Sequence, residues 1–344
     1  MWYKKPSETL MLLAGDIGGT KTILALYEEG SDATSPLREE TFPSGRYESL
    51  EAVVRKFLEA RKAEHPQVER AVFGVAGPVV AGRATLPNLP WVIEEAKLKG
   101  QFGFQQVAMI NDLEAIGHAV TVLAESDLET IKPGDAEPRG NIAVLAPGTG
   151  LGETFLSWNG SCYTAHPSEA GHGDFAPVDE LQIGLLEYLL ERFDHVSYER
   201  VCSGMGIPNI YAYIRDRGLA EEPGWLAEEL ARATDSNAII FEKAMHSQPD
   251  CRICTLTAET FVAILAAEAG NMVLRHVATG GLYLGGGIPP RIIPLLQRPN
   301  FEKWFVRKGR LSHLPEKTPV KVITHPKTAL VGAASRGLQD AEQG

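Results

Sequence analysis

The sequence predicts an α/β protein with two related lobes. Apolar runs typical of buried strands alternate with segments of helical spacing along most of its 344 residues. A unit of strand, glycine turn and strand also occurs twice, about 130 residues apart. This weak internal repeat indicates two lobes of similar design that face each other. We expect a small lobe formed by residues 1–122 and 325–344, and a large lobe formed by residues 123–324.

The small lobe is predicted to begin with a β-hairpin. Its first strand covers the apolar run 10–17 and its second covers 23–27, with Gly-Gly between them. The other predicted elements of this lobe are a helix at 50–62, strands at 71–75 and 106–110, and a helix at 113–123. The strand at 106–110 delivers Asn111 and Asp112 to its carboxyl end.

The large lobe repeats the hairpin and is richer in helix. Strands at 141–146 and 153–158 flank the second glycine turn, and short strands are predicted at 282–284 and 320–324. The predicted helices cover 179–193, 199–216, 258–278 and, back in the small lobe, 329–338. Residues 125–140 are rich in Asp, Glu, Pro and Gly and are predicted to form a surface connection. Phe301, Trp304 and Phe305 have helical spacing, which predicts a core or dimer contact.

The composition is that of a globular protein with an acidic balance. There are 44 acidic and 33 basic residues, which give a net charge of -11. Such a chain is a poor general binder of nucleic acid or of anionic membranes. No apolar run reaches the roughly 18 residues of a membrane span, and the first residues lack an apolar signal core. Four cysteines do not make a disulfide scaffold, so we expect a cytoplasmic protein without nucleic-acid or membrane partners.

Three glycine turns are candidates for binding phosphate. Gly15-Asp16-Ile17-Gly18-Gly19-Thr20-Lys21 alone favours an ordinary hairpin turn. The similar turn Gly148-Thr149-Gly150-Leu151-Gly152 and the late run Gly285-Gly286-Gly287 favour phosphate binding, because glycine lets several backbone N–H groups point at one anion. The chain has no Gly-x-x-x-x-Gly-Lys-Ser/Thr loop, and a strand is predicted after Gly152 where a dinucleotide site needs a helix.

Three polar clusters could hold a ligand that carries many hydroxyl groups. They are Asn111-Asp112, Glu169-Ala-Gly-His172 and Glu199-Arg200. Carboxylates and amides can each form two hydrogen bonds, which suits a ring of hydroxyls. Taken alone, however, Asp112 is a typical helix N-cap and Glu199 a typical charge early in a helix.

A structural zinc site is not expected. No cysteine follows His166, Glu169 and His172 until Cys202, and Cys251-x-x-Cys254 is a single pair. A tetrahedral site with three cysteines and one histidine cannot be built from them locally. The cysteine pair is therefore predicted to be two ordinary reduced thiols.

The glycine turns resemble the nucleotide motifs of the actin-like ATPase superfamily, which includes hexokinases. Gly15–Lys21 is similar to its first phosphate motif, Gly148–Gly152 to its second and Gly285–Gly287 to its adenosine motif. The resemblance implies a two-lobed fold with a ribonuclease-H-like core in each lobe. It also implies that ATP and the sugar bind in the cleft between the lobes.

The polar clusters resemble motifs of the bacterial glucokinase family, in order and from about Leu12 to Gly337. The strings are Asn-Asp-Leu, Glu-Ala-Gly-His-Gly-Asp-Phe-Ala-Pro and Ser-Tyr-Glu-Arg-Val-Cys-Ser-Gly-Met-Gly, with Thr-Leu-Pro-Asn-Leu-Pro-Trp as a further sugar loop. The resemblance implies ATP-dependent phosphorylation of glucose to glucose 6-phosphate, with Asp112 as catalytic base. The implied sugar site consists of Asn88, Asn111, Asp112, Glu169, His172 and Glu199.

The resemblance also implies which residues bind ATP and its metal. Asp16 would hold Mg²⁺ directly or through water. The implied ATP-binding residues are Gly15, Asp16, Ile17, Gly18, Gly19, Thr20, Lys21, Gly148, Thr149, Gly150, Gly285, Gly286 and Gly287. The expected partners are therefore glucose, ATP and a second copy of the chain in a homodimer.

Two departures from the family pattern keep alternatives open. Lys21 stands where many bacterial glucokinases have Asn, and the form with Lys is closer to the related ROK family of sugar kinases and repressors. In addition, residues 84–91 are rich in proline. A kinase for another hexose or an N-acetyl sugar is one alternative, and ADP or polyphosphate could replace ATP as donor. A non-catalytic sugar-sensing regulator is another, but it needs an N-terminal helix-turn-helix for which the motif at Gly15 leaves no room. A chaperone-type ATPase would need a separate peptide-binding domain.

Overall fold

The structure, a computed structural model, describes residues 11–59, 68–86, 88–246 and 250–343. These residues form two compact units. The first contains the described residues of Met1–Ala124, Tyr163–Pro167 and His325–Gly344, and the second those of Glu125–Cys162 and Ser168–Thr324. Leu10 of the first predicted strand and residues 60–62 of the first predicted helix lie outside the described residues.

The described residues alternate between strands and helices, as expected for an α/β protein. In chain order the strands are β1 (Met11–Ile17), β2 (Lys21–Glu28), β3 (Arg38–Pro43), β4 (Val68–Val75), β5 (Val79–Val80), β6 (Arg83–Thr85), β7 (Val92–Glu94), β8 (Gln106–Asn111), β9 (Leu128–Lys132), β10 (Ile142–Pro147), β11 (Leu151–Trp158), β12 (Tyr163–His166), β13 (Gly281–Leu284) and β14 (Val320–Ile323). The helices are α1 (Leu50–Glu59), α2 (Glu95–Phe102), α3 (Asp112–Ala119), α4 (Glu180–Leu190), α5 (Gly206–Asp216), α6 (Gly224–Arg232), α7 (Ser236–Met245), α8 (Arg252–His276), α9 (Ile293–Leu296), α10 (Pro299–Val306), α11 (His313–Lys317) and α12 (Thr328–Gln343).

The first unit is built on a sheet with the strand order β3-β2-β1-β4-β8. Strands β1 and β2 form the predicted antiparallel hairpin, whereas β4 runs parallel to β1 and β8 parallel to β4. Apolar residues are buried on both faces of this sheet, with Phe57 and Phe73 in one core and Ala14, Ala115 and Ala333 in the other. Burial on both faces explains why β1 is a nearly continuous apolar run. Strands β5, β6 and β7 form a separate small sheet.

The second unit contains the repeated hairpin. Its strands follow the order β11-β10-β13-β14-β9, in which β10 and β11 are antiparallel and β13 and β14 continue the sheet in parallel. The strand predicted after the second glycine turn is therefore confirmed. A large apolar core joins this sheet to the helices, and Phe261 and Leu265 of α8 are fully buried in it.

Helix α8 is the one helix of the described residues that is long and apolar enough to cross a membrane by length and composition. Most of its apolar stretch is buried within the fold, as in the core helix of a globular protein. Helix α10 packs beside it and buries Phe301, Trp304 and Phe305. The core role predicted for these three aromatic residues is confirmed.

Two predicted segments are wrong in detail. The predicted surface connection 125–140 contains β9, an antiparallel edge strand. It was not predicted because its charged residues Glu129 and Lys132 interrupt the apolar pattern. The predicted helix 199–216 is divided into a 3₁₀ turn at Tyr198–Arg200 and α5. Ser203 causes the division, because its hydroxyl accepts hydrogen bonds from the N–H groups that begin α5.

Helix boundaries also differ from the prediction. Helix α3 ends at Ala119, although helical spacing predicts a helix as far as residue 123. Helix α8 begins at Arg252, six residues before the predicted start at 258. Such shifts arise because caps and tertiary contacts set the ends of a helix, whereas spacing reports only its buried face.

Candidate active site

The first glycine turn joins β1 to β2 and is held in shape by Ser44. The N–H of Gly18 donates to the carbonyl of Lys21 at 3.0 Å, which closes the turn. The hydroxyl of Ser44 donates to the carbonyl of Gly18 at 2.8 Å, and its N–H donates to the carbonyl of Thr20 at 3.0 Å. Sequence reasoning missed Ser44, because it lies far along the chain in a segment without a phosphate motif.

Asp16 is the candidate metal residue at the end of β1. Burial raises the pKa of Asp16, and the nearby Lys21 ammonium opposes that shift. No group of three His, Cys, Asp or Glu residues able to hold a metal was found among the described residues. Mg²⁺ usually keeps several water ligands and takes one or two carboxylates together with substrate phosphates. A single Asp16 beside a phosphate turn fits that pattern.

Asn88, the predicted sugar residue of the loop 84–91, lies against the first glycine turn. A Cβ placed on Gly19 would sit 3.2 Å from the Cβ of Asn88. The loop is a hairpin between β6 and β7, closed by a hydrogen bond from the N–H of Leu86 to the carbonyl of Trp91. The Trp91 ring is buried and its Nε1 donates to the carbonyl of Tyr47 at 3.1 Å. This anchor holds the loop at the turn.

Asn111 and Asp112 lie where β8 passes into α3. The Oδ1 of Asn111 accepts from the N–H of Leu113 at 2.8 Å, so Asn111 is the N-cap of α3. Its Nδ2 donates to the carbonyl of Gly77 at 2.9 Å. Asp112 is the first residue of the helix, and its Oδ1 accepts from the same N–H at 3.0 Å. The positive end of the helix dipole favours the negative charge on this carboxylate.

In the second unit, Glu199 is locked onto the second glycine turn. Its Oε2 accepts from the N–H of Leu151 at 3.0 Å. A Cβ on Gly150 would meet the same carboxylate, so a larger residue there would displace Glu199. The turn is closed further by hydrogen bonds from Gly148 N–H to Gly150 and from Gly204 N–H to Gly148.

The predicted residues Glu169 and His172 belong to a loop beside the same turn. A Cβ on Gly171 would collide with the carbonyl oxygen of Leu151. This loop pairs with the segment that carries Glu199, because the N–H of Tyr198 donates to the carbonyl of Gly173 at 3.0 Å. Glu169 and His172 are exposed at their surface. The second unit thus gathers three of the predicted sugar residues around one glycine turn.

The third glycine run follows β13 and packs against the second turn. The N–H of Gly285 donates to the carbonyl of Leu145, and that of Ile288 to the carbonyl of Pro147. Gly286 has a φ of +79°, and a Cβ there would lie 2.5 Å from the carbonyl oxygen of Pro147. A left-handed backbone this close to another strand requires glycine.

A pocket of about 580 Å³ opens beside these turns within the second unit. Its volume is in the range of small-molecule sites. Both apolar and polar side chains line it. It is lined by Gly148, Thr149, Gly204, Met205, Asp235, Asn237, Ala238, Phe241, Met245, Gly287, Ile288 and Arg291.

Helix α7 supplies much of this pocket and was missed by the sequence analysis. Asp235 is its N-cap and forms an ion pair with Arg291, with 3.2 Å between Oδ2 and Nη1. Asn237 donates through Nδ2 to the carbonyl of Gly204 at 2.7 Å, which ties α7 to the segment behind the second turn. The string Asp-Ser-Asn before an apolar run was an available N-cap signal for this helix.

Comparisons with known proteins agree on one family. The glucokinase family model matches residues 13–340. The glucokinase of Nostoc punctiforme is 39% identical over 337 residues, which cover 94% of this chain and 98% of that protein. The crystal structure of a glucokinase from an Antarctic psychrotroph has a TM-score of 0.84 and 32% identity, and the match covers 96% of this chain and 99% of that one.

A more distant structure supports the fold. The ROK family glucokinase from Streptomyces griseus, in complex with glucose and AMPPNP, has a TM-score of 0.62 at 20% identity and covers 96% of this chain and 99% of that one. The predicted α/β fold of the actin-like ATPase superfamily is confirmed by these neighbours. Because the family model and the relatives both match nearly the whole chain, the chain belongs to the glucokinase family.

Proposed function

We propose that this protein transfers the γ-phosphoryl group of ATP to the O6 hydroxyl of glucose. The observation that carries the proposal is the 3.0 Å hydrogen bond from the Leu151 N–H to Glu199. This bond joins a proposed sugar residue directly to a proposed phosphate-binding turn. A kinase must hold its two substrates next to each other, whereas an ordinary hairpin turn needs no such contact. Membership of the glucokinase family supports glucose as the acceptor.

Asp112 is the proposed catalytic base. It would orient the O6 hydroxyl and take its proton as the bond to phosphorus forms. It is the first residue of α3 and directly follows Asn111 at the end of β8. The remaining proposed sugar residues hold the other hydroxyls of the ring: Asn88, Asn111, Glu169, His172 and Glu199.

The two hairpin turns are proposed to bind the phosphates of ATP, and the pocket beside Gly285–Gly287 to bind its adenosine. Backbone N–H groups of glycine turns suit phosphate oxygens. Phe241 and Met245 give the pocket an apolar wall that suits a purine base.

Asp16 is proposed to bind Mg²⁺ through water, and Lys21 to contact a phosphate. When bound, Mg²⁺ neutralises charge on the phosphates. A carboxylate together with phosphate oxygens and water is the donor set that this ion prefers. A cytoplasmic location and a homodimer stay predictions.

Steady-state kinetics of the purified protein test the proposal. We expect the highest kcat/KM for glucose among glucose, fructose, mannose and N-acetylglucosamine, and for ATP among ATP, ADP and polyphosphate. Chelation by EDTA should abolish turnover and added Mg²⁺ should restore it. Turnover of another sugar with a higher kcat/KM would change the assigned substrate, and the absence of turnover with all four sugars would contradict the proposed function.

A further inference from the structure

A polar cluster that includes Tyr198 lies in the second unit, buried at its centre and exposed at Arg275. We define it as Glu153, Tyr198, Glu268, Asn271, Arg275 and Lys308. Glu153 and Glu268 are almost completely buried, and Tyr198 has only 2% of its surface exposed. Burial of several ionisable groups costs free energy unless they bond to one another. The cluster therefore differs from an ordinary apolar core, and its cost suggests that it has a function.

Hydrogen bonds connect the members of the cluster from Tyr198 to α8. The Nδ2 of Asn271 donates to the Tyr198 hydroxyl at 3.2 Å and to Oε2 of Glu268 at 3.0 Å. The Nζ of Lys308 donates to Oδ1 of Asn271 at 2.8 Å. Arg275 forms an ion pair with Glu268 and lies 3.9 Å from Oε2 of Glu153. Every contact ends on α8, so the Tyr198 hydroxyl is fixed to a core helix.

Tyr198 precedes Glu199 in the same 3₁₀ turn. Successive side chains in a 3₁₀ turn point about 120° apart, because it has three residues per turn. Fixing the direction of the Tyr198 side chain therefore also fixes that of Glu199. The Tyr198 ring is held edge-on against Phe175, with 5.7 Å between ring centroids, so its ring and its hydroxyl have separate anchors.

We propose that Tyr198 is a positioning residue for glucose, which it orients through Glu199 by anchoring the 3₁₀ turn to Asn271. The inference rests on the proposed function, since it assigns Glu199 to the sugar. Tyr198 has no direct contact with glucose in this account. Its hydroxyl limits rotation of the turn. The Glu199 carboxylate is therefore oriented towards the sugar site before glucose binds.

The Tyr198→Phe variant tests this role, because it keeps the ring and removes only the hydroxyl. We expect KM for glucose to rise about five-fold, the effect of losing one hydrogen bond. The kcat should stay within about two-fold and KM for ATP should not change, because the loss concerns how glucose is held. Tyr211→Phe is the matched control: the Tyr211 hydroxyl donates to Oε1 of Glu222 at 2.7 Å, away from the cluster. It should leave KM for glucose unchanged.

A double-mutant cycle with Glu199→Gln separates positioning from general destabilisation. If Tyr198 acts through Glu199, adding Tyr198→Phe to Glu199→Gln should raise KM for glucose by less than about two-fold. Additive effects of the two changes would overturn the inference, as would an equal rise in KM for glucose in the Tyr211→Phe control. If Tyr198→Phe does not fold, Asn271→Ser is measured in the same cycle, because it removes one of the two partners of the hydroxyl and leaves Glu268. Wild-type protein that does not phosphorylate glucose overturns the proposed function and this inference together, whereas the other outcomes concern Tyr198 alone.

Discussion

At the residue scale, adjacent side chains of the candidate site divide structural and chemical tasks. Asn111 caps α3 and bonds to Gly77, so the capping role that was the alternative for Asp112 is filled by its neighbour. The sequence predicts both residues at the end of a strand. It does not predict which of them caps the helix, because that depends on the extended backbone of Asn111, with φ of -63° and ψ of 151°.

Glu153 is the most perturbed acid near the second glycine turn. Burial, together with the negative charge of Glu268, raises its pKa to about 8, and Arg275 offsets only part of this shift. Both of its carboxylate oxygens are buried without a hydrogen-bond partner among the described residues. The group is therefore protonated in the folded protein near neutral pH, whereas it is ionised in the unfolded chain.

Glu153 should make the protein less stable as pH rises. Because its pKa is higher in the folded state, the folded chain binds more protons, and the free energy of unfolding falls between about pH 4.5 and pH 8. We expect Glu153→Gln to remove this part of the pH dependence and to gain on the order of 3–4 kcal/mol relative to wild type from pH 5 to pH 8. Urea unfolding at pH 5 and pH 8 measures this gain, and Glu187→Gln, at an exposed position of α4, is the control for losing one charge. A constant difference between Glu153→Gln and wild type would show that the group is ionised throughout.

At the scale of elements, the sequence predicts strands and helices that have a clear apolar pattern. It does not predict elements that lack such a pattern. Both glycine hairpins and the helix α8 follow from apolar runs and spacing. The edge strand β9 does not, since it depends on pairing with β14. The break before α5 does not either, although its cause is local: the Ser203 hydroxyl accepts hydrogen bonds from Met205 and Gly206. Ser44 was missed because its role arises from contacts with residues distant in sequence. Helix α7 was missed although its N-cap signal was local, and only its contact with Gly204 depends on distant residues.

In the third glycine run, the effect of an alanine substitution should depend on which glycine is replaced. Gly286→Ala places a Cβ 2.5 Å from the Pro147 carbonyl oxygen at a φ of +79°. We expect a loss of about 1–3 kcal/mol in the free energy of unfolding and a higher KM for ATP, because β10 must move. Gly287→Ala is the matched control for stability, since nothing lies within 4 Å of its Cβ. Chemical denaturation of both variants checks this, and equal stability of the two would contradict the assigned close contact.

At the scale of the whole molecule, the proposed function assigns roles to residues of both units. The proposed base Asp112 belongs to the first unit, whereas Glu169, Glu199 and the 580 Å³ pocket belong to the second. Loss of the Asp112 carboxylate in the first unit should therefore affect chemistry more than the binding of glucose. Loss of a sugar residue in the second unit should weaken glucose binding directly.

The turnover number of Asp112→Asn at saturating glucose and ATP tests the central claim most directly. The change keeps the shape of the side chain and one acceptor oxygen but removes its basicity. The account predicts a fall in kcat of about 10²–10⁴-fold, with a much smaller change in the dissociation constant for glucose. Glu169→Gln is the comparison and should instead mainly weaken glucose binding. Near-normal kcat in a folded Asp112→Asn protein would contradict the account.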